Sequence, residues 1–301
     1  MKARKILAVI MCVGMICGSN AYAVGETEYK DLPSVGEIGP EFIHSEDYEV
    51  KQASEELLAV SSLNELAEIS RENFENSHEA STENTEATRQ LLEQYYNEVG
   101  EIESLAATLS QAEFFAYLLL ADGLDAIEVA VASSDADAAK SEAQDMYPND
   151  ASGLQDSYRH FTWNHRLTKD LSKEKARVVA CDYEWSAVLL SYAQSAYEDY
   201  LNQGYESSTA AAKGYNYAYF MREDAYSVCA AGVEYFNAIF ADAAVRDFWN
   251  NCHGRAYAAD YSYSRSVAFN VANNAGELIN SDYAVTDSHI QKVWAWDWYT
   301  V

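Results

Sequence analysis

The stretch Asp156-Ser-Tyr-Arg-His-Phe-Thr-Trp-Asn164, with its counterpart Asp247-Phe-Trp-Asn-Asn-Cys-His-Gly-Arg255, indicates the fold of this chain. Each motif combines acids, amides, an imidazole and a guanidinium with aromatic residues. Positions three, four, seven and eight apart share one face of an α-helix. The polar faces so predicted consist of Asp156, His160, Trp163 and Asn164 in the first motif, and of Asp247, Asn250, Asn251, Gly254 and Arg255 in the second.

The rest of the chain also favours helices. Only three prolines and thirteen glycines occur in 301 residues, and no proline lies between Pro40 and Pro148. Proline and glycine are the residues that most often interrupt helices, so long helices are expected. With 49% hydrophobic residues the chain can also build a core. We predict an all-α protein, a helical bundle with an acidic helical amino-terminal segment.

The amino terminus has the composition of a signal peptide. Lys2, Arg4 and Lys5 precede an apolar run over residues 6–16, and Ala21-Tyr-Ala23 is a small-x-small cleavage signature. Such a run is too short to span a bilayer, which takes about 20 residues in a helix. Residues 1–23 are therefore predicted to be removed, and the mature chain to be secreted: extracellular, periplasmic or associated with the cell envelope.

Composition divides the mature chain further. Residues 24–45 contain glycine, proline and acids without periodicity and are predicted to be an exposed leader. Residues 46–88 are predicted to form an acidic helix followed by a linker, which begins at Arg71. Residues 89–301 are predicted to form the helical domain.

The charge of the mature chain limits its partners. Losing three of the 20 basic residues with the signal peptide leaves 17 against 48 acidic residues, a net formal charge of −31. A surface this acidic repels nucleic acids and anionic lipids. We expect no nucleic-acid partner and no transmembrane segment after cleavage, and a cell-envelope component or another protein as the possible partner.

Three cysteines remain in the mature chain: Cys181, Cys229 and Cys252. An odd number permits at most one internal disulfide, and its pairing is left open. All three lie in apolar helical contexts, in which a cysteine usually acts as a small buried hydrophobic residue.

The order of the motifs resembles an uncharacterised bacterial domain family, found in secreted, phage-related and toxin-like proteins. The family pattern is approximately Arg-His-x-x-Trp, then His-Glu, then Asn-Asn-x-x-Gly-Arg, and the similarity covers about residues 126–260. It implies a helical fold and a shared polar centre but no established activity. The matching residues are Arg159, His160, Trp163 and Asn164, then Asp247, Asn250, Asn251, Gly254 and Arg255. At the middle motif this chain has Tyr183-Glu184, so the acid is kept and the imidazole is not.

Three of these residues can carry chemistry. His160, Glu184 and Asp247 can share a proton or bind a divalent metal, as a hydrolase requires to activate water. Without metal, His160 could act as a general base while Arg255, or the amides of Asn250 and Asn251, stabilises a developing oxyanion. The catalytic candidates are therefore His160, Glu184, Asp247 and Arg255, and His160, Glu184 and Asp247 are also the metal candidates.

A second interpretation is structural. Acids, amides and arginines on different helices can satisfy one another inside a bundle, and the six further residues with this role are Asp156, Arg159, Trp163, Asn164, Asn250 and Asn251. A hydrolase-like protein requires these groups to meet in a cleft that solvent reaches. A non-enzymatic partner-binding protein requires them to be mutually paired and sealed. His165 lies off the first face, and we expect it at the surface.

Overall fold

A computed structural model describes residues 29–41, 52–99, 108–150 and 153–301 of the chain. Within these residues there are twelve α-helices, two short 3-10 helices and no strand, so the prediction of an all-α fold is confirmed. The α-helices are α1 Glu55–Leu58, α2 Leu63–Glu75, α3 Thr82–Val99, α4 Gln111–Ala121, α5 Ala126–Met146, α6 Leu154–Asp170, α7 Lys173–Asn202, α8 Ser207–Ala231, α9 Val233–Ile239, α10 Asp242–Asp260, α11 Arg265–Asn274 and α12 Asp287–Ala295. The predicted signal peptide lies outside the described residues.

Side-chain caps fix where several of these helices begin. The hydroxyl of Ser172 accepts from the backbone N–H of Lys175 and starts α7, as the sequence predicts. Capping boxes at Ser110 and Asp125 start α4 and α5. Asp242, which the sequence predicts as the cap of α10, is the first residue of that helix instead, and Ala241 precedes it.

Three helix–helix contacts organise the bundle. The long helices α7 and α8 pack along each other, and α6 lies between α5 and α10. α6 and α10 approach each other closely at Gly254. A Cβ at this position would lie only 2.2 Å from the carbonyl oxygen of Phe161. Only glycine allows this approach, which brings the two polar motifs face to face.

The amino-terminal region differs from the prediction in two ways. Residues 71–88, predicted as a linker, instead form the end of α2, a 3-10 turn and the beginning of α3. Thr88 is buried there, and its hydroxyl donates to Asn216 Oδ1 over 2.6 Å. A polar composition predicted a linker, but contacts with α8 order this segment into helix.

The described part of the predicted exposed leader also packs against the bundle. We call residues 29–41 the amino-terminal strap. Most of its residues are partly or fully exposed, as predicted, but its last residue, Glu41, is buried. The strap is held by α10 and by the loop after α11, since Tyr261 donates to the Ser34 carbonyl over 3.0 Å and Gly36 donates to Glu277 over 2.8 Å.

Cys181, Cys229 and Cys252 are free thiols, each buried in the core. Burial raises the pKa of Cys181 to about 12, which makes its thiol unreactive at neutral pH. None of the described helices is both long enough and apolar enough to cross a membrane.

Candidate functional site

The site is a triad of side chains where α6 faces α10. His160 Nε2 lies 3.4 Å from Asp247 Oδ2 and 3.8 Å from Asp156 Oδ1. One ligand atom from each of these residues lies within 4.8 Å of the other two. We call Asp156, His160 and Asp247 the triad. An imidazole with two carboxylates is a donor set that divalent metals accept, and three protein ligands leave a further position for water.

Two arginines neutralise the carboxylates of the triad. Arg159 Nη2 lies 2.5 Å from Asp156 Oδ1 and 2.7 Å from His160 Nε2. Arg246 donates to Asp247 Oδ1 over 2.9 Å, to Asp156 Oδ2, and to Asp282 over 2.6 Å. The guanidinium of Arg159 thus lies against the same nitrogen that a bound cation would contact.

A chain of amides sets the tautomer of His160. Arg255 donates to Asn164 Oδ1 over 2.8 Å, so the amide nitrogen of Asn164 faces α10 and donates to Asn251 Oδ1 over 2.6 Å. His160 Nδ1 lies 3.3 Å from the same Asn251 oxygen. Because that oxygen can only accept, Nδ1 carries the proton, and the lone pair of Nε2 accepts from Arg159 on the side of the ring that faces the two carboxylates.

Two buried polar atoms next to the triad have no partner among the described residues: Glu184 Oε1 and Asn251 Nδ2. One is an acceptor and the other a donor. Leaving a buried polar atom unpaired costs roughly 1–3 kcal/mol, so such atoms need an explanation. Unpaired atoms also occur elsewhere among the described residues, for example in His165, Asp182 and Arg222. Asn251 and Glu184 differ in their neighbours, since Asn251 contacts His160 and Asp247 is near enough to raise the pKa of Glu184.

Burial controls the protonation of the site. The pKa of Glu184 lies well above its usual value because the side chain is buried and Asp247 is near, which favours the protonated carboxyl. Burial lowers the pKa of His160, although Asp247 opposes this effect. Burial acts to raise the pKa of Asp156, but His160, Arg159 and Arg246 outweigh it, and the net pKa is lowered. The site therefore pairs a neutral imidazole and a carboxylic acid with an ionised Asp156.

Solvent reaches the site from one side. The side chain of His160 is 2% exposed, whereas those of Asp156 and Arg159 are 31% and 33% exposed. The imidazole is therefore buried, and the accessible members of the site are Asp156 and Arg159 on α6. The purely structural interpretation requires these groups to be sealed from solvent. Asp156 and Arg159 are partly exposed, so the groups are not fully sealed.

The structure brings together some of the predicted residues and separates others. Asp156, predicted only for the polar network, joins His160 and Asp247, and Glu184 is near them but outside the triad. Arg255 faces away from the triad and bonds Glu41 and Asn164. The guanidiniums beside the triad are those of Arg159 and Arg246.

Two other predicted residues have structural contacts. Asn250 donates to the Ile279 carbonyl over 2.8 Å and accepts from the Ile279 N–H over 3.1 Å. Trp163 donates to the Ala132 carbonyl on α5 over 3.3 Å. Both side chains fix neighbouring segments and neither contacts His160. Tyr183, at the position where the family pattern has histidine, packs its ring edge-on against His160, with the ring centres 6.5 Å apart.

Glu41 and Arg246 are the site residues that the sequence did not indicate. Glu41 lies in a segment without periodicity, 214 residues from its partner Arg255. Arg246 directly precedes Asp247, and one signal could have found it: an adjacent pair of opposite charges in an otherwise apolar and aromatic run. His165 was expected at the surface and is buried instead, at 4% exposure.

No protein-family model, curated protein or solved structure matches this chain. The resemblance to the bacterial domain family, and every function connected with it, stays a hypothesis based on the motifs quoted above.

Proposed function

We propose that this is an exported hydrolase whose active site is the triad of Asp156, His160 and Asp247, working with a divalent metal ion. The observation that carries this proposal is the incomplete pairing at the site: Glu184 Oε1 and Asn251 Nδ2 are buried beside the triad without partners. A network that serves only to hold helices together gains by pairing every member. A substrate or a water molecule gives these two atoms the partners they lack.

The donor atoms of the triad fit a divalent cation. His160 is neutral and presents the Nε2 lone pair, while its Nδ1–H is held by Asn251, the orientation that second-shell partners give to metal-binding histidines. When the ion binds, the Arg159 guanidinium has to leave Nε2, and its partly exposed side chain can turn toward solvent. A bound divalent ion supplies a water molecule whose pKa is lowered toward neutrality.

The surrounding residues complete an acid–base site. The raised pKa of Glu184 favours its protonated form, which can donate a proton to a leaving group, and the ionised carboxylate can then accept one. Arg159 and Arg246 are placed to stabilise negative charge that develops on a substrate oxygen. The amide Nδ2 of Asn251 is a second donor, already desolvated and fixed. These roles suit the hydrolysis of an ester, amide or phosphoester bond.

A second candidate function is a non-enzymatic envelope or partner-binding protein in which these residues only hold the bundle together. The charge balance at the site favours it. Asp156 and Asp247 are already compensated by Arg159 and Arg246, without any added ion. On this alternative, both arginines keep their places and no cation binds.

Metal titration distinguishes the two functions. The chain from Val24 onward is titrated with Zn²⁺ and with Mn²⁺ by calorimetry, as wild type, as Asp247→Asn and as Asp282→Asn. Asp282 bonds the same arginine as Asp247 but is not a member of the triad, so it is the matched control. We expect one ion per chain for wild type and for Asp282→Asn, and none for Asp247→Asn. No binding by wild type, or equal binding by Asp247→Asn, would contradict the proposed site.

A further inference from the structure

The amino-terminal strap places a charge inside the bundle, far along the chain from the triad. Its main-chain groups are held by Tyr257 and Glu277, through bonds of 3.4 Å to Val35 and 2.8 Å to Gly36. These contacts fix the course of the strap over α10. At its end the strap turns inward, and Glu41 enters the space beside α7 and α10.

Glu41 is paired on several sides in that space. Its carboxylate, 2% exposed, accepts from Arg255 Nη2 over 2.8 Å and from Arg255 Nε over 3.1 Å, and Lys173 Nζ lies 3.5 Å away. Its main-chain carbonyl accepts from Arg177. Burial acts to raise the pKa of Glu41, but Arg255 and the other cations outweigh it, so the carboxylate is ionised. Glu41 thus fixes a guanidinium that is itself only 1% exposed.

Each bond from Arg255 to His160 has only one possible direction. A guanidinium only donates, so Asn164 must turn its oxygen toward Arg255 and its NH₂ toward Asn251. Asn251 must then present its oxygen to His160 Nδ1. If Asn164 were reversed, two donors would face each other at Arg255 and two acceptor oxygens would face each other at Asn251, so neither contact would be a hydrogen bond.

We propose that Glu41 is a positioning residue that favours the Nδ1–H tautomer of His160 through Arg255, Asn164 and Asn251, acting together with Arg159, whose guanidinium donates to Nε2. The strap thereby helps to decide which ring nitrogen of His160 carries the proton, while Nε2 faces Asp156 and Asp247 in either tautomer. The tautomer itself does not depend on the proposed function. Only its consequence for metal binding does, because Nε2 can bind an ion only while it carries the lone pair.

The tautomer can be measured directly in the unmodified protein. Chains labelled with ¹⁵N-histidine are examined by long-range ¹H–¹⁵N correlation NMR at neutral pH, which separates protonated from unprotonated ring nitrogens. The resonances of His160 are assigned by their loss in His160→Gln. We expect a protonated Nδ1 and an unprotonated Nε2. A protonated Nε2 in wild type would overturn the proposal without any further variant.

Variants then test the role of Glu41. Glu41→Ala leaves Arg255 buried without its partner and is expected to fold poorly, since breaking a buried ion pair is strongly destabilising. The double variant Glu41→Leu/Arg255→Met replaces the pair with apolar side chains, a change that such sites often tolerate. It removes the donor to Asn164, so that reversal of this amide is opposed on its own helix only by the 3.3 Å bond from Asn164 Nδ2 to the His160 carbonyl. Glu37→Ala is the matched control, because Glu37 lies on the same strap and pairs with Lys292 at the surface.

The double variant is expected to gain a measurable share of the Nε2–H tautomer, with Nδ1–H still the major form because Arg159 donates to Nε2. Glu37→Ala is expected to show only the wild-type tautomer. Zn²⁺ affinity should fall about 10- to 100-fold in the double variant and stay unchanged in Glu37→Ala. An unchanged tautomer in the folded double variant would overturn the role of Glu41, even if wild type binds Zn²⁺. If the tautomer shifts as expected but wild type binds no Zn²⁺, the inference about Glu41 holds and the proposed function fails.

Discussion

Asn164 and Asn251 join the two polar helices through one amide hydrogen bond, in which Asn164 Nδ2 donates to Asn251 Oδ1 over 2.6 Å. The bond connects a buried ion pair on one side to the imidazole of the triad on the other. Positioning and chemistry are therefore separated along α10: Arg255 and Asn251 orient His160, whereas Asp247 faces it directly. This separation lets individual substitutions report on one role at a time.

Asn250 should matter for stability and not for metal binding. In Asn250→Ala the backbone N–H and carbonyl of Ile279 lose their buried partners. We expect urea denaturation to show a loss of roughly 2 kcal/mol or more in the free energy of unfolding, while calorimetry shows an unchanged Zn²⁺ affinity. A stable Asn250→Ala protein that has lost Zn²⁺ binding would place Asn250 in the site after all.

Gly254 should tolerate no side chain. In Gly254→Ala the new Cβ meets the Phe161 carbonyl, so α6 and α10 must separate. Overpacking of this kind costs about 1–3 kcal/mol, and the melting temperature should fall accordingly. Gly39→Ala is the control, because no atom lies within 4 Å of a Cβ at that position. Equal melting temperatures for the two variants would contradict the close approach of the helices.

The fold was more predictable than the site, for reasons that particular residues illustrate. Helical spacing placed Asp156 with His160 and Asn164, and Asp247 with Asn251, because those residues are neighbours within one helix. The start of α7 is likewise set locally, by the hydroxyl of Ser172.

Long-range contacts explain what was missed. The pairing of Glu41 with Arg255 depends on the path of the whole chain, and nothing in the strap signals it. Arg255 was predicted to face substrate because its spacing puts it on the polar face of α10. That face, however, contacts both the triad and the strap. The Arg255 guanidinium lies on the strap side, where it pairs with Glu41. The helix over residues 82–88 was missed because polar residues there are ordered by contacts with α8.

Glu184→Gln should stabilise the protein at neutral pH. The carboxyl has a raised pKa and is protonated in the folded chain, whereas in the unfolded chain it ionises near its ordinary pKa of about 4.3. Folding therefore takes up a proton, and stability falls as pH rises above that value. Removing this cost should add about 1 kcal/mol or more at pH 7 and nothing near pH 4, as measured by urea denaturation.

The control for Glu184 is Glu142→Gln. Burial acts to raise the pKa of Glu142, but Tyr158 and Arg166 outweigh it and the net pKa is lowered, so Glu142 stabilises the fold as an ion. We expect Glu142→Gln to destabilise the protein at pH 7, the opposite sign. A loss of stability at pH 7 in both variants would show that Glu184 is ionised in the folded chain.

Mild acid should destabilise the protein through two buried histidines. Burial lowers the pKa of His165 to about 4, with Lys169 acting in the same direction, and burial lowers that of His253 to about 4. The unfolded chain takes up these protons near pH 6.5 and the folded chain does not. Stability should therefore fall between about pH 6.5 and pH 4, by up to about 1.4 kcal/mol per pH unit for each histidine.

Urea denaturation at pH 7 and pH 5 measures this dependence. His165→Gln should reduce it, and His78→Gln, a change at an exposed position, should not. An equal pH dependence in His165→Gln and wild type would mean that His165 takes up its proton without unfolding.

The proposed metal site is tested by a crystal structure of the chain from Val24 onward grown with Mn²⁺, with anomalous diffraction collected to locate the ion. We expect one anomalous peak in contact with His160 Nε2, Asp156 and Asp247, and we expect the Arg159 guanidinium to have moved away from Nε2. No peak at the triad, with Arg159 still hydrogen-bonded to His160, would contradict it and leave this centre as a structural network.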